Sequence, residues 1–179
     1  MINPPAVKRY DCKHIGSMRY TRMGKEMTFQ APLRMGNAEK RDARTQFAAL
    51  CFRRKNKGVE ILLVSSLDSG RWITPKGWPM DGLTPGEAAA QEAWEEAGVR
   101  GRAYEQCLGL YSYAKWIDEE TSLPVVVAVF GLEVEKMADD FPEAGLRKRK
   151  WFSQKKAAAR VNEPVLKQII RHFDTARLK

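Results

Sequence analysis

An α/β fold with a mixed sheet is what this sequence predicts, and three observations carry the prediction. Runs rich in strand formers recur at residues 45–54, 59–66 and 123–135. A strongly helical segment, residues 85–97, interrupts them, and further helical segments close the chain. The hydrophobic fraction, 44% of 179 residues, is enough for a real core in one domain of ordinary size. The order β-β-β-α-β-β-β-α-α places helices on the faces of a sheet.

The elements follow in chain order. Residues 1–44 show no sustained period, and Pro4 and Pro5 break any early helix. They are read as a basic N-terminal extension to a domain spanning residues 45–179. "TQFAALCFRR" opens that domain as a strand, and "NKG" turns the chain. "VEILLVSS" is a continuous apolar run of buried-strand length, and "RWIT" is a short strand. Thr84 suits an N-cap, Pro85 the first helical position and Glu87 the third position of a capping box. Gly98 suits a left-handed stop. Residues 104–117 and 123–135 are β-rich and joined by the polar "DEETS". "RKRKWFS" is a last strand. Residues 154–161 and 163–178 are helical, the second with Val165, Leu166, Ile169, Ile170 and Phe173 at helix spacing.

Composition narrows the classes of function. No run approaches the roughly 20 apolar residues that span a bilayer, and the first residues lack the apolar core of a secretory signal. Cys12, Cys51 and Cys107 form no paired spacing, so a reducing, cytoplasmic setting is expected. With His14 and His172 the only histidines, a histidine-based zinc site is not expected. The net charge of +9 is unevenly spread. Residues 1–45 carry ten Lys and Arg against four acids, residues 46–144 ten against sixteen, and residues 145–179 eleven against two. Basic ends around an acidic middle attract polyanions: nucleic acid, anionic membrane or a highly phosphorylated small molecule. A solvated basic surface is the plainer alternative for any single lysine.

The acidic middle has a focus. Glu92, Glu95 and Glu96 lie three and four residues apart, so a helix gathers them on one patch. Three carboxylates that close repel unless something positive sits among them. Hard oxygen ligands suit Mg2+ or Mn2+, and Mg2+ commonly bridges protein carboxylates and substrate phosphates. A bare Glu-x-x-Glu-Glu face is usually just solvated. Here Pro75-Lys76-Gly77 precedes the helix, with a glycine that permits close backbone approach and a lysine that offers a point charge to phosphate.

The stretch from Gly77 to Val99 resembles the signature of the Nudix hydrolase family, Gly-x5-Glu-x7-Arg-Glu-hydrophobic-x-Glu-Glu-x-Gly-hydrophobic. Gly77, Glu92, Glu95, Glu96, Gly98 and Val99 fall in register, with Ala93 in the hydrophobic slot. Leu83 stands where a glutamate is expected and Gln91 where an arginine is expected. The lost residues are one acid and one base, so no charge is orphaned, and Leu83 is expected to pack as an apolar residue at the loop–helix junction. The flanking "FAALCFRR", "ILLVSS", "RWITPKG" and "RKRKWFS" are similar to the diphosphoinositol polyphosphate phosphohydrolase branch, which also acts on diadenosine polyphosphates. That resemblance spans about residues 46–161.

It implies an α/β/α sandwich and metal-dependent hydrolysis of a phosphoanhydride in a highly anionic substrate. It also implies Glu92, Glu95, Glu96 and the Gly77 carbonyl as metal ligands, for Mg2+ or Mn2+. Lys76, Arg147, Arg44 and Ser66 become candidate phosphate contacts, although the branch usually has glycine at the position of Lys76. A carboxylate must accept a proton from water, and Glu95 or Glu96 is placed to do so, with Asp118, Glu119, Glu120 and Glu143 as loop alternatives. In "RKRKWF", Arg147 and Arg149 share one strand face and Lys148 and Lys150 the other. Trp78, in the loop, is the tryptophan freest to stack on a base, with a packing role as its equal alternative, and Trp72, Trp94 and Trp116 are open to both readings as well. A catalytically weak module that binds nucleotide or RNA is the second reading, with Leu83 and Gln91 as its symptoms. Retention of all three glutamates weighs against it. Oligomeric state is not written in the sequence.

Overall fold

A computed structural model describes residues 44–56, 58–116 and 122–178. Among the described residues, seven strands form one mixed sheet and three α-helices cover its two faces. β1 (Arg44–Lys55), β2 (Gly58–Ser65), β3 (Trp72–Ile73) and β4 (Lys76–Gly77) precede α1 (Pro85–Ala97). β5 (Val99–Trp116), β6 (Ser122–Met137) and β7 (Arg149–Ser153) follow, and α2 (Gln154–Arg160) and α3 (Pro164–Arg171) end the series before a short 3-10 turn at Thr175–Arg177. The path of the sheet is β3-β2-β1-β6-β5, with β4 on β1 and β7 on β2. Among the described residues only the β1–β6 pairing is parallel, which makes the sheet mixed, as the element order predicts.

Alternation along β1 feeds two cores. Ala48, Leu50 and Phe52 point toward α2 and α3, where they meet Leu166, Ile170 and Phe173. Ala49 and Cys51 point the other way and pack with Ala89, Ala93 and Ala97 of α1. The alanines recur every fourth residue, so a narrow, small-residue stripe lets α1 sit close to the sheet. That seating fixes which way the glutamates of α1 turn.

Both ends of α1 are capped as expected. The Thr84 hydroxyl accepts from the Glu87 amide at 3.3 Å, and Glu87 answers with an acceptor 2.9 Å from the Thr84 amide. Gly98 ends the helix with φ +64°. The Arg149 guanidinium donates to the Ala97 carbonyl at 2.9 Å and to the Ala138 carbonyl at 2.6 Å, setting a positive charge against the helix C-terminus. A Cβ at Gly98 would stand 2.5 Å from Phe141 Cδ1. Gly98→Ala is therefore expected to cost about 2 kcal/mol, from left-handed strain and overpacking together. Urea unfolding measures it, and a loss below about 0.5 kcal/mol would contradict the packing described.

Four expectations need correcting. Lys76 and Gly77, read as loop, form β4, because the amide of Ala49 bonds the Pro75 carbonyl at 2.9 Å and holds the segment against β1. β5 starts at Val99, directly after the cap. β7 starts at Arg149, so Arg147 lies in the turn before it. The last helix stops at Arg171, where the His172 amide returns to the Gln168 carbonyl at 3.0 Å, and a separate 3-10 turn follows. Residues 1–43 lie outside the described set, as do Asp118, Glu119 and Glu120. Among the described residues, no helix is long and apolar enough to cross a membrane.

Candidate active site

The cleft arises because β1 changes partner. It pairs with β2 over Phe52–Lys55 but with β4 at Phe47 and Ala48. β4 thus carries Lys76 and Gly77 to the sheet edge beneath α1. A cleft of about 600 Å3 opens there, within the size range of small-molecule sites. Lys76, Gly77, Glu92, Glu96, Arg147 and Ser66 all line it.

Glu92 packs directly on Gly77. A Cβ at position 77 would lie 1.8 Å from Glu92 Oε1, so glycine is what allows carboxylate and backbone to meet. Glu96 is only 6% exposed. Its Oε1 accepts from Arg147 Nη2 at 2.9 Å, while its Oε2 is buried without a hydrogen-bond partner among the described residues. Burial pushes the Glu96 carboxyl up to about 7, outweighing the opposing pull of Lys76 and Arg147. Burial, then the charge of Glu95, pushes Glu92 up to about 6. Lys76 is moved down from the ordinary lysine range, chiefly by burial.

Arg147 is held on three sides. It bonds Glu96, pairs closely with Glu143 through Nε, and donates to the Ser65 carbonyl at 3.2 Å. Glu143 in turn donates its amide to the Glu95 carbonyl at 3.1 Å, tying the turn before β7 to α1. Ser66 meets Ser69, hydroxyl to hydroxyl, at 2.8 Å.

The remaining candidates fall elsewhere. Glu95 is outside the lining of the cleft, and its Oε1 accepts from Gln91 Nε2 at 2.7 Å. Gln91 thus donates to a motif carboxylate from the position where an arginine was expected. Arg44, at the start of β1, also stands outside the lining. Leu83 does not bury: it is 41% exposed, in the turn before the N-cap, which corrects the expectation of apolar packing there. Sequence reasoning missed Arg71, Tyr113 and Trp116, which also line the cleft. Arg71 was legible only as the first residue of the short strand "RWIT", Tyr113 as an ordinary strand aromatic, and Trp116 as a tryptophan that could either pack or stack.

A divalent cation fits this arrangement. Among the described residues, no three His, Cys, Asp or Glu side chains gather closely enough to hold a metal by themselves. Glu92, the buried free oxygen of Glu96 and the adjoining Gly77 backbone are hard oxygen donors, and Mg2+ often takes one or two carboxylates and completes its shell with water and substrate phosphate.

Comparison with known proteins agrees with the fold and the motif. The NUDIX domain family matches residues 43–173, and the chain belongs to that family. Nudix hydrolase 12, mitochondrial, of Arabidopsis thaliana is 35% identical over 102 residues, covering 55% of this chain and 50% of the relative. Diphosphoinositol polyphosphate phosphohydrolase 3-alpha of Homo sapiens is 34% identical over 107 residues, covering 59% of this chain and 61% of the relative. The chain therefore spans about half to three fifths of the length of these curated relatives. Among solved structures, a NUDIX hydrolase from Nitrosomonas europaea superposes with a TM-score of 0.54 at 20% identity, covering 72% of this chain and 86% of that one. At that identity the likeness speaks for the fold alone.

Proposed function

We propose that the chain is a divalent-metal-dependent pyrophosphohydrolase that cleaves a phosphoanhydride in a highly anionic substrate, a dinucleoside polyphosphate or an inositol pyrophosphate. The observation that carries this reading is the meeting of Glu92 with the Gly77 backbone beside the unpartnered oxygen of Glu96, in a cleft shared with Lys76. Family membership supports the reaction class, and the human relative's name refers to diphosphoinositol polyphosphates.

In this reading Glu92, Glu96 and the Gly77 carbonyl hold Mg2+ or Mn2+, with Glu95 beside them as the third motif carboxylate. The cation would screen charge developing on the phosphate oxygens and make water more acidic. Lys76 meets phosphate from the floor of the cleft, and Ser66 does so from the rim. Arg147 orients Glu96 and offers what is left of its charge to substrate. Arg44 serves only if the substrate extends beyond the cleft. Glu96 accepts the proton of the attacking water, since Glu95, the other candidate, faces Gln91 outside the cleft. A reducing, cytoplasmic setting remains part of the proposal, and Cys51 and Cys107 are free thiols, in keeping with it.

The test is phosphate release by the full chain with Mg2+, Mn2+ or EDTA, from diadenosine tetraphosphate, a diphosphoinositol polyphosphate and a 5′-triphosphorylated RNA. Turnover of at least one substrate with metal, lost in EDTA, is expected. Binding of these ligands with no turnover of any would favour the catalytically weak module instead.

A further inference from the structure

Glu163 is a buried acid that the proposed chemistry does not use. It stands at the N-cap of α3, directly before Pro164, yet its carboxylate makes no capping bond. Ser, Thr, Asp and Asn are the side chains that cap well, and glutamate is not among them. The side chain turns instead toward the residue before β3, where Oε1 lies 3.5 Å from Arg71 Nη1. It is only 10% exposed, and Oε2 is buried with no hydrogen-bond partner among the described residues.

Both ends of the pair are seated. The Lys167 amide donates to the Glu163 carbonyl at 3.0 Å, and Leu166 and Ile170 fix α3 in the core. The Arg71 carbonyl accepts from the Ser66 amide at 2.8 Å, and the neighbouring Trp72 packs edge-on against Phe152 with ring centres 5.1 Å apart. Arg71 lines the cleft, whereas Glu163 stands behind it. The carboxylate is still felt at the cleft wall. Tyr113 is pushed up to about 12 chiefly by burial, with Arg71 opposing the rise and Glu163 adding to it.

A carboxylate this buried needs its counter-charge. A substrate phosphate that recruited Arg71 would strip Glu163 of it, and breaking one side of a buried ion pair is costly. Glu163 would also repel that phosphate directly, in a setting that screens charge less than bulk water does. Arg71 therefore supplies hydrogen-bond donors to the cleft but no net positive charge. A ring phosphorylated all round carries roughly −1.5 to −2 on every phosphate, so it cannot avoid bringing anionic oxygens toward Arg71. A compact phosphate chain held between Lys76 and the motif glutamates can.

Resting on the hydrolase reading above, we propose that Glu163 is a specificity-determining residue: by cancelling the charge of Arg71 it keeps substrate phosphate off that guanidinium, favouring a substrate with one compact phosphate chain over one phosphorylated on all sides. Glu163 touches neither the metal nor the scissile bond, so its effect falls on binding.

The experiment uses four full-length proteins: wild type, Glu163→Gln, Arg71→Gln and the double variant. Calorimetry with Mg2+ measures two probes that present no P–O–P anhydride. Inositol hexakisphosphate is phosphorylated all round, and imidodiphosphate is a compact pair of phosphates. Glu163→Gln keeps the shape of the side chain and is expected to bind inositol hexakisphosphate roughly tenfold more tightly, the scale of removing one unit charge near a partly buried contact. Arg71→Gln, which leaves the anion bare, should bind it roughly tenfold more weakly. The double variant restores the original net charge and should return to within about threefold of wild type. Imidodiphosphate should change by no more than about twofold in Glu163→Gln, and the gain for the larger probe should shrink in about 0.5 M NaCl. With diphosphoinositol pentakisphosphate as substrate, Glu163→Gln should lower KM roughly tenfold and leave kcat within about threefold. A damaged fold does not bind a polyanion more tightly and in a salt-sensitive way.

Unchanged or weaker binding of inositol hexakisphosphate by Glu163→Gln overturns the assignment, as does an equal gain for both probes. Unchanged affinity in Arg71→Gln overturns it without recourse to the first variant. If no substrate turns over, the hydrolase reading fails, and the binding cycle still decides the role of Glu163.

Discussion

Glu96→Gln is expected to lower kcat by roughly a thousandfold, about 4 kcal/mol of lost transition-state stabilisation, without loss of the fold. The substitution keeps the shape and an acceptor for Arg147 while removing the anionic oxygen that lies buried and unpartnered. A second outcome sets it apart from simple damage. The folded-state carboxyl sits at about 7, above the ordinary 4.5. A raised value means that this group's contribution to stability is fully present below about pH 4.5 and is lost as the pH rises through 7. In EDTA the wild type should therefore lose stability between pH 5.5 and 8, by an amount on the order of 2 kcal/mol at most from this group. Glu96→Gln should flatten that loss. Added Mg2+ should stabilise the wild type more at pH 8 than at pH 5.5, since a ligand must be deprotonated to bind. Thermal unfolding at both pH values, with and without Mg2+, reads all of this. Activity within tenfold of wild type, or an unchanged pH slope in the variant, would remove Glu96 from the proposed centre.

The helix and its glutamates were legible in the sequence because their cause is local. Thr84, Pro85, Glu87 and Gly98 specify the two ends, and spacings of three and four specify a shared patch. Which members of the patch enter the cleft depends on rotation about the helix axis. Ala89, Ala93 and Ala97 set that rotation by packing on the sheet, which turns Glu92 and Glu96 inward and leaves Glu95 with Gln91. β4 was invisible for a related reason. Two residues after a proline hold no period, and their strand character comes from β1, far away in sequence. The exposure of Leu83 was equally hidden, since a leucine reads as apolar whether or not the fold offers it a core. Trp116 could pack or stack as far as sequence goes, and the position of the end of β5 puts it at the cleft.

Arg147→Met is expected to destabilise the metal-free protein by about 3 kcal/mol at pH 8, the scale for breaking one side of a buried ion pair. The guanidinium is 9% exposed and joins three elements: Glu96 on α1, the Ser65 carbonyl on β2, and Glu143 in the turn before β7. Methionine fills much of the space and supplies none of the donors. Glu96 then loses the cation hydrogen-bonded to it and faces the charges of Glu143 and Glu92. The penalty should shrink at pH 5.5, where a protonated Glu96 needs no counter-charge, and it should shrink at pH 8 when Mg2+ supplies one. Kinetics separate this clamp from a direct hold on substrate. If Arg147 only orients Glu96, the variant loses kcat and its KM moves little; if it also grips phosphate, KM rises as well. Arg147→Lys keeps a charge but not the three-way geometry, so it should recover part of any phosphate binding and little of the stability. A variant as stable as wild type at pH 8 without metal would show that the three contacts contribute nothing net. In that case the burial of Glu96 would have to be sustained by its protonation alone.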